Sequence, residues 1–208
     1  MKNNLNDPFI KAMHNRFACK KYLDKPIESN ILEAILEVGR LSPTSFGLEG
    51  WAFHVVQNTS LRRELTSACF DQESVATAPV TLVIANLRRE DYDPYGPFVA
   101  QRGSRFPGTL GEYIDDYKGY WEFVTQEGRI EMWSRAQGYI AAANMMSAAA
   151  HWGIQSCAIE GFEEDKVSQL LGIDQSKWVI SLLITLGYPD EPMREKVREP
   201  LAELVTYH

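Results

Sequence analysis

The sequence has no long apolar run: no window approaches the roughly 20 apolar residues that a helix needs to cross a bilayer. Its polar start, Met-Lys-Asn-Asn-Leu-Asn-Asp, lacks the apolar core of a signal peptide, which predicts a cytoplasmic protein. Positive charge is also in deficit, because 21 Lys and Arg against 28 Asp and Glu leave a net charge of −7. This balance argues against nucleic acid as a partner.

Cysteine and histidine are sparse and scattered. Cys19, Cys69 and Cys157 are too few for a disulfide framework or a zinc site, and the four histidines have no ligand partner at helical spacing. We therefore expect buried free thiols and no metal. The patterns G-x-G-x-x-G, G-x-x-x-x-G-K-[ST] and G-x-S-x-G are absent, which argues against Rossmann, P-loop and covalent hydrolase sites.

A chain of 208 residues, 45% hydrophobic and 24% charged, predicts one globular domain over 1–208. Strand-like and helix-like segments are interleaved along it, which predicts an α+β or α/β sheet domain. The predicted helices are 7–15, 28–41, 59–68, 111–125, 131–153 and 163–171, and the predicted strands are 51–56, 79–85, 154–159 and 178–186. We expect a polar turn over 71–77.

Three of these segments carry more specific predictions. The continuous β-branched run from Pro79 to Ala85 predicts a central strand buried on both faces. In the second helix, Ile31, Ile35, Val38 and Leu41 are predicted to share the core face. The Ala-rich helix 131–153 has almost no charge on any side, which predicts burial all round and a position at the centre of the domain, with contact to its copy in a dimer as a further expectation.

Residues 88–128 form the least patterned part of the chain, rich in proline, glycine and aromatic residues. A long insertion of this kind is usually functional or disordered, and the density of aromatics favours an ordered cover over a pocket.

The loop that begins at Leu41 and leads into the strand ending at Val56 is rich in small residues. Pro43 ends the preceding helix, and Gly47 and Gly50 permit close approach of the backbone to an anionic or planar ligand. We hypothesise that this loop closes one side of a flavin site.

Cationic residues occur in pairs near both ends of the chain. Arg16 and Lys20 lie four apart, and Lys196 and Arg198 lie two apart, a spacing that in extended chain forms a fork able to hold one phosphate. Composition alone favours the simpler interpretation, in which these are solvated surface charges.

The segment Ile159-Glu-Gly-Phe162 follows a predicted strand and precedes a predicted helix. Amides in this position lie at the carboxyl end of a strand, where open sheets tend to bind ligands, and Gly161 lets backbone approach a planar ring. A tight turn with a helix-capping acid is an equally good interpretation of the residues alone.

Four blocks in order resemble the FMN-dependent nitroreductase family. They are Arg16-Phe-Ala-Cys-Lys-Lys-Tyr22, Leu41-Ser-Pro-Thr-Ser-Phe-Gly-Leu-Glu-Gly-Trp-Ala-Phe53, Gly153-Ile-Gln-Ser-Cys-Ala-Ile-Glu-Gly-Phe162 and Lys196-Val-Arg-Glu-Pro-Leu201, with Trp133 and Gln137 between the second and third. The resemblance implies an α+β fold with a mostly antiparallel central sheet flanked by helices. It further implies an interlocked homodimer with two FMN sites at the interface.

The resemblance also assigns roles to individual residues. Arg16, Lys196 and Arg198 would hold the FMN phosphate, and Lys20 would reach the pyrimidine edge of the flavin. The backbone amides of Glu160 and Gly161 would lie near the flavin N5, so no side chain is expected as a general base. The remaining residues expected at the cofactor are Phe17, Ala18, Pro43, Thr44, Ser45, Asp71, Ser74 and Ile159, with Pro43 to Ser45 coming from the partner subunit.

In the family that the chain resembles, NADH or NADPH donates a hydride to the flavin, and an acceptor such as a nitroaromatic or quinone then takes the reducing equivalents. An FMN-binding protein of the same fold without reductase turnover, acting as a carrier, sensor or non-redox enzyme, is the alternative. A flavin-free interaction protein is the third possibility.

The chain departs from the family pattern in three places. Ala18 stands where a phosphate-contacting Ser is usual, and Glu49-Gly50 replaces Gln-Pro, which predicts a more acidic and more mobile loop. Asp71 and Ser74 stand where Asn and Lys are usual near the ring. A carboxylate without that Lys predicts a lower flavin reduction potential than in typical members.

Overall fold

The computed structural model describes residues 7–208. The helices are α1 (Pro8–Asn15), α2 (Ser29–Arg40), α3 (Thr59–Ala68), α4 (Glu73–Thr77), α5 (Pro97–Gly103), α6 (Leu110–Gln126), α7 (Ile130–His151), α8 (Glu164–Leu171) and α9 (Leu201–Leu204). The strands are β1 (Trp51–Val56), β2 (Val80–Leu87), β3 (Gln155–Ile159) and β4 (Trp178–Gly187). None of the described helices combines the length and the apolar character needed to span a membrane.

The four strands form one sheet in the order β1-β2-β4-β3, and each neighbouring pair is antiparallel. Every residue of β2 is buried, as its continuous apolar sequence predicts for a central strand. Buried residues of α2 and α7 pack against one face of the sheet, and those of α3 and α8 pack against the other. The α+β prediction with an antiparallel sheet is confirmed.

Helix α2 buries the predicted face only in part. Leu32, Ile35 and Gly39 are buried, whereas Leu41 is 65% exposed. At Gly39 the helix approaches α7 closely, since a Cβ there would lie only 2.6 Å from Met145 Sδ. Ile31 packs against the same core as Ile35, so the buried face of α2 is widened toward Leu32 and Gly39 and excludes only Leu41 at its end.

Helix α7 is not buried all round within one chain. One face packs into the core through Gly138, Ala142 and Met145, but Tyr139 and Ile140 on another face are both 39% exposed. The prediction of complete burial is therefore wrong for the single chain, and an uncharged face of the helix is left open to solvent.

Two other segments contain a helix that was not predicted. The expected polar turn over 71–77 contains helix α4. The insertion 88–128 contains α5 in addition to α6, which matches the predicted helix 111–125. Several of its aromatics are core residues, in a hydrophobic cluster shared with Leu48, Leu87 and Ile130. Tyr92 is 1% exposed and Tyr117 is fully buried.

Candidate functional site

Three cations from the two ends of the chain surround one cavity. Arg16 follows α1, and Lys196 and Arg198 lie in the segment without helix or strand before α9. Together with His14, Ile10 and Met13 they line a cavity of about 240 Å³. None of these six residues is acidic, so the cavity concentrates positive charge without a carboxylate to neutralise it.

The backbone around Arg16 is held by a single amide side chain from β3. Gln155 accepts a hydrogen bond from Phe17 N through Oε1 at 3.1 Å, and its Nε2 donates to the Asn15 carbonyl at 3.2 Å. Lys196 Nζ donates to the carbonyl oxygen of Arg16. The two ends of the chain are thereby joined at the residue whose guanidinium borders the cavity.

Lys196 shows the electrostatic effect of this crowding. Partial burial and the positive charges of Arg16 and Arg198 lower the pKa of the Lys196 ammonium below its usual value. Like charges gathered in this way repel one another until an anion joins them. The arrangement is thus suited to a phosphate, which accepts charge-assisted hydrogen bonds from guanidinium and ammonium groups.

The segment from Arg16 to Lys20 alternates in burial. Phe17 is 6% exposed and Cys19 is fully buried, while Ala18 and Lys20 face outward. Phe17 therefore offers only its backbone to a ligand. Ala18 pairs with Ser156 in a β-bridge. Lys20 is apart from the cation cavity and donates from Nζ to Cys157 Sγ at 3.1 Å.

The turn after β3 presents backbone donors. Ile159 is 1% exposed, so its side chain is unavailable to a ligand, whereas Glu160 and Gly161 are exposed. Among the described residues, the N–H groups of Glu160 and Gly161 have no acceptor. Gln72 Nε2 fixes the turn from the other side by donating to the Gly161 carbonyl at 2.8 Å and to the Cys69 carbonyl at 2.9 Å.

A Cβ added at Gly161 would meet nothing closer than Gln72 Nε2 at 3.4 Å and Phe70 Cδ2 at 3.5 Å. These are ordinary contact distances, so the fold itself does not require glycine here. The glycine leaves room beside two free amides.

The segment before α4 runs beside this turn. Phe70 and Asp71 have positive φ values of 57° and 53°, a conformation that non-glycine residues seldom adopt twice in succession. Asp71 is exposed, whereas Ser74 is 2% exposed. Of Asp71 and Ser74, which replace the usual Asn and Lys near the ring, only Asp71 is open to solvent.

Pro43, Thr44 and Ser45 are not among the described residues that line the cation cavity. The loop is fixed to α7 instead: Ser45 N donates to Gln137 Oε1 at 3.0 Å, and Trp133 Nε1 donates to Ser45 Oγ at 3.3 Å. Within one chain, the loop and the cations therefore do not form one closed site.

Glu49 and Gly50 do not loosen this loop, contrary to expectation. The Glu49 carboxylate pairs with Arg105 at 3.2 Å and lies 4.0 Å from Arg102. A Cβ at Gly50 would lie 2.1 Å from Tyr92 Oη, so the glycine is required for packing against the aromatic insertion. Both residues attach the loop to residues 88–128, which argues against the predicted mobility.

Sequence reasoning assigned no role to four residues that shape this region. They are Gln72, Tyr139, Gln155 and Cys157. Gln155 and Cys157 lie inside a motif used for the resemblance, but a motif does not show which backbone a side chain will hold. Their roles come from contacts between segments far apart in sequence.

The fold and these contacts define a class of protein: an antiparallel sheet flanked by helices, with a cationic cavity at one place and a turn with free amides at another. The Nitroreductase family model matches residues 13–188. The chain belongs to the nitroreductase family.

Individual relatives agree with this assignment. A Staphylococcus epidermidis protein named as a NAD(P)H nitroreductase is 35% identical over 220 residues, covering 99% of both chains. A nitroreductase-like protein of Streptococcus mutans has a similar structure, with a TM-score of 0.84 at 19% identity, covering 98% of this chain and 99% of that one. A nitroreductase of Exiguobacterium sibiricum, solved in complex with FMN, has a TM-score of 0.77 at 19% identity and covers 96% and 97%.

Proposed function

We propose that the protein is an FMN-dependent oxidoreductase that uses NADH or NADPH to reduce a nitroaromatic, quinone or similar acceptor by a ping-pong mechanism. The observation that carries the proposal is the gathering of Arg16, Lys196 and Arg198 around one cavity that has no acidic residue among its described lining residues. The S. epidermidis relative is named as a NAD(P)H nitroreductase, and the E. sibiricum neighbour holds FMN. Both support this cofactor and this donor.

The residues present fit FMN at both of its ends. Arg16, Lys196 and Arg198 would hold the phosphate, and Lys20 would place its ammonium at the pyrimidine edge of the ring. The N–H groups of Glu160 and Gly161, which have no acceptor among the described residues, would face the ring at N5. When bound, FMN supplies hydride transfer, and the protein supplies orientation and charge.

The cytoplasmic homodimer is part of the same proposal. Pro43, Thr44 and Ser45 lie away from the cation cavity of their own chain, which supports their contribution to the site of a partner subunit. The open, uncharged face of α7 supports contact with a second copy. We further propose that 1–208 is one FMN-binding domain in which residues 88–128 cover the acceptor pocket.

The test is reconstitution with FMN followed by anaerobic addition of each nicotinamide. We expect the yellow holoprotein to survive dialysis and its flavin absorbance to bleach with NADH or NADPH, then to recover when a nitroaromatic or a quinone is added. Bleaching without recovery would support NADH or NADPH as the electron donor but would contradict nitroaromatics and quinones as acceptors.

Protein that binds FMN but is not bleached by either nicotinamide would favour a carrier or sensor. Protein that stays colourless after reconstitution would contradict the proposal.

A further inference from the structure

One tyrosine contacts the turn that carries the free amides. Tyr139 Oη of α7 donates to Glu160 Oε1 at 2.6 Å. A separation this short is typical of a hydroxyl bonded to an ionised carboxylate, and such bonds are roughly twice as strong as neutral ones. The bond joins the longest helix to the residue immediately before Gly161.

Gly138, which precedes Tyr139 in α7, determines how closely the helix lies against the sheet. A Cβ at Gly138 would lie 2.3 Å from Asn86 Oδ1 and 2.9 Å from Ser181 Oγ, so only glycine allows the helix to approach β2 and β4 this closely. Asn86 and Ser181 are themselves joined by a 2.7 Å hydrogen bond. This packing therefore fixes the position of the Tyr139 backbone relative to the sheet.

The hydroxyl of Tyr139 remains a donor at neutral pH. Partial burial, together with the charge of Glu160, raises the pKa of Tyr139 to about 12, and the positive charge of Arg135 acts in the opposite direction. Because Gln72 holds the Gly161 carbonyl, the turn is anchored on both sides: by Tyr139 at the Glu160 side chain and by Gln72 at the Gly161 backbone.

We infer that Tyr139 is a positioning residue for the flavin site, which holds the Glu160 carboxylate and thereby the orientation of the Glu160–Gly161 peptide. The inference rests on the proposed function, in which this peptide faces the ring. A carboxylate beside the ring opposes the negative charge that the ring gains on reduction. The Tyr139 hydroxyl offsets part of that charge by hydrogen bonding, so the pair sets the reduction potential of bound FMN.

The experiment measures the midpoint potential of bound FMN by anaerobic spectroelectrochemistry in the wild type, Tyr139→Phe, Glu160→Gln and the double variant. Tyr139→Phe should lower the potential, because the carboxylate keeps its charge and loses its donor. Glu160→Gln should raise it, because the charge is gone. The expected change is about tenfold in the oxidised-to-reduced equilibrium, which is about 30 mV for a two-electron couple.

The double variant separates positioning from general destabilisation. In the Glu160→Gln background, Tyr139→Phe should change the potential much less than it does alone, since no carboxylate remains to be held. The matched control is Tyr188→Phe, because Tyr188 Oη donates to Glu28 at 2.9 Å in a second exposed tyrosine–glutamate pair. That variant should leave the potential unchanged.

Failure of the inference and failure of the proposed function give different results. If the wild type does not bind FMN, both are overturned. If the wild type binds FMN and is reduced by a nicotinamide but Tyr139→Phe keeps the wild-type potential, the positioning role alone is overturned. A loss of thermal stability in Tyr139→Phe with no change in potential would likewise overturn the positioning role, because the bond would then only stabilise the fold.

Discussion

Arg198 contributes one of three positive charges to a cavity for which residues 7–208 supply no acidic lining residue, so its removal should mainly weaken the binding of a phosphate. We expect Arg198→Ala to weaken FMN binding by about 10- to 100-fold, since a hydrogen bond to a charged group contributes about 1.5–3 kcal/mol. Fluorescence titration of the apoprotein with FMN measures this.

Arg194→Ala is the matched control for Arg198→Ala. Arg194 lies four residues earlier in the same segment, but its guanidinium is paired with Glu191 at 2.6 Å. Equal losses of FMN affinity in the two variants would contradict a specific role for Arg198.

Lys196 makes FMN binding depend on pH in a defined direction. Its pKa is lowered in the free protein by burial, Arg16 and Arg198, and a bound phosphate would raise that pKa again. Binding therefore favours protonated Lys196, and FMN affinity should fall as the pH rises from 7 through the lowered pKa. Arg stays charged throughout this range, so Lys196→Arg should give a flatter profile in isothermal titration.

Asp71 is a second exposed acid next to the candidate ring site, besides Glu160, and it predicts a lower reduction potential than in typical family members. Ser74 is 2% exposed, so Ser74→Lys would bury an ammonium and disturb the fold. Asp71→Asn is better, because Asn tolerates the positive φ of 53° at this position.

The potential of FMN bound to Asp71→Asn should be higher than in the wild type. Asp115→Asn, at an exposed site of α6, serves as the control. An unchanged or lower potential in Asp71→Asn would remove the carboxylate from the explanation.

At the scale of elements, the turn after β3 and the loop before β1 use glycine for different reasons. A Cβ at Gly161 fits the protein, whereas a Cβ at Gly50 would overlap Tyr92. Gly161→Val should therefore keep a near-normal melting temperature but lose FMN binding. Gly50→Ala should lower stability by about 1–3 kcal/mol through overpacking. Thermal unfolding with and without FMN distinguishes them, and normal FMN binding by Gly161→Val would mean that the ring lies elsewhere.

Most elements of this fold could be predicted because their apolar patterns and their terminal residues agree. Asp7 caps α1 by accepting from Phe9 N at 2.9 Å and Ile10 N at 3.1 Å, and Pro79 precedes a wholly buried strand. The burial of Gly39 in α2 could not be predicted, because it depends on close approach to Met145 of α7, which is distant in sequence.

The same distinction holds for the candidate site. The cation spacing and the motif order were sufficient to identify Arg16, Lys196 and Arg198 as candidate phosphate-binding residues. The supports of the site could not be found in this way, since Gln155 holds the backbone on both sides of Arg16 and Tyr139 holds Glu160. Such contacts join distant segments and leave no local pattern in the sequence.

At the scale of the whole molecule, the proposed site needs two chains, which links FMN binding to dimerisation. Ile140 lies on the open face of α7 and is 39% exposed. We expect Ile140→Glu to place charge in an apolar interface, to shift the protein to monomers in light scattering, and to lose FMN as a result. Glu122→Lys on the exposed side of α6 is the control. Monomers that retain FMN with wild-type affinity would contradict a shared site.

The pairing of Glu49 with Arg102 and Arg105 has a consequence for such a dimer. It attaches the aromatic insertion of one subunit to the loop that, in the proposed assembly, serves the flavin of the other. An acceptor that displaces the insertion in one subunit would then also displace this loop at the flavin site of the other subunit. The two subunits of the dimer would then not turn over independently. Because the coupling would depend on a surface ion pair, the cooperativity between the subunits would weaken as the ionic strength rises.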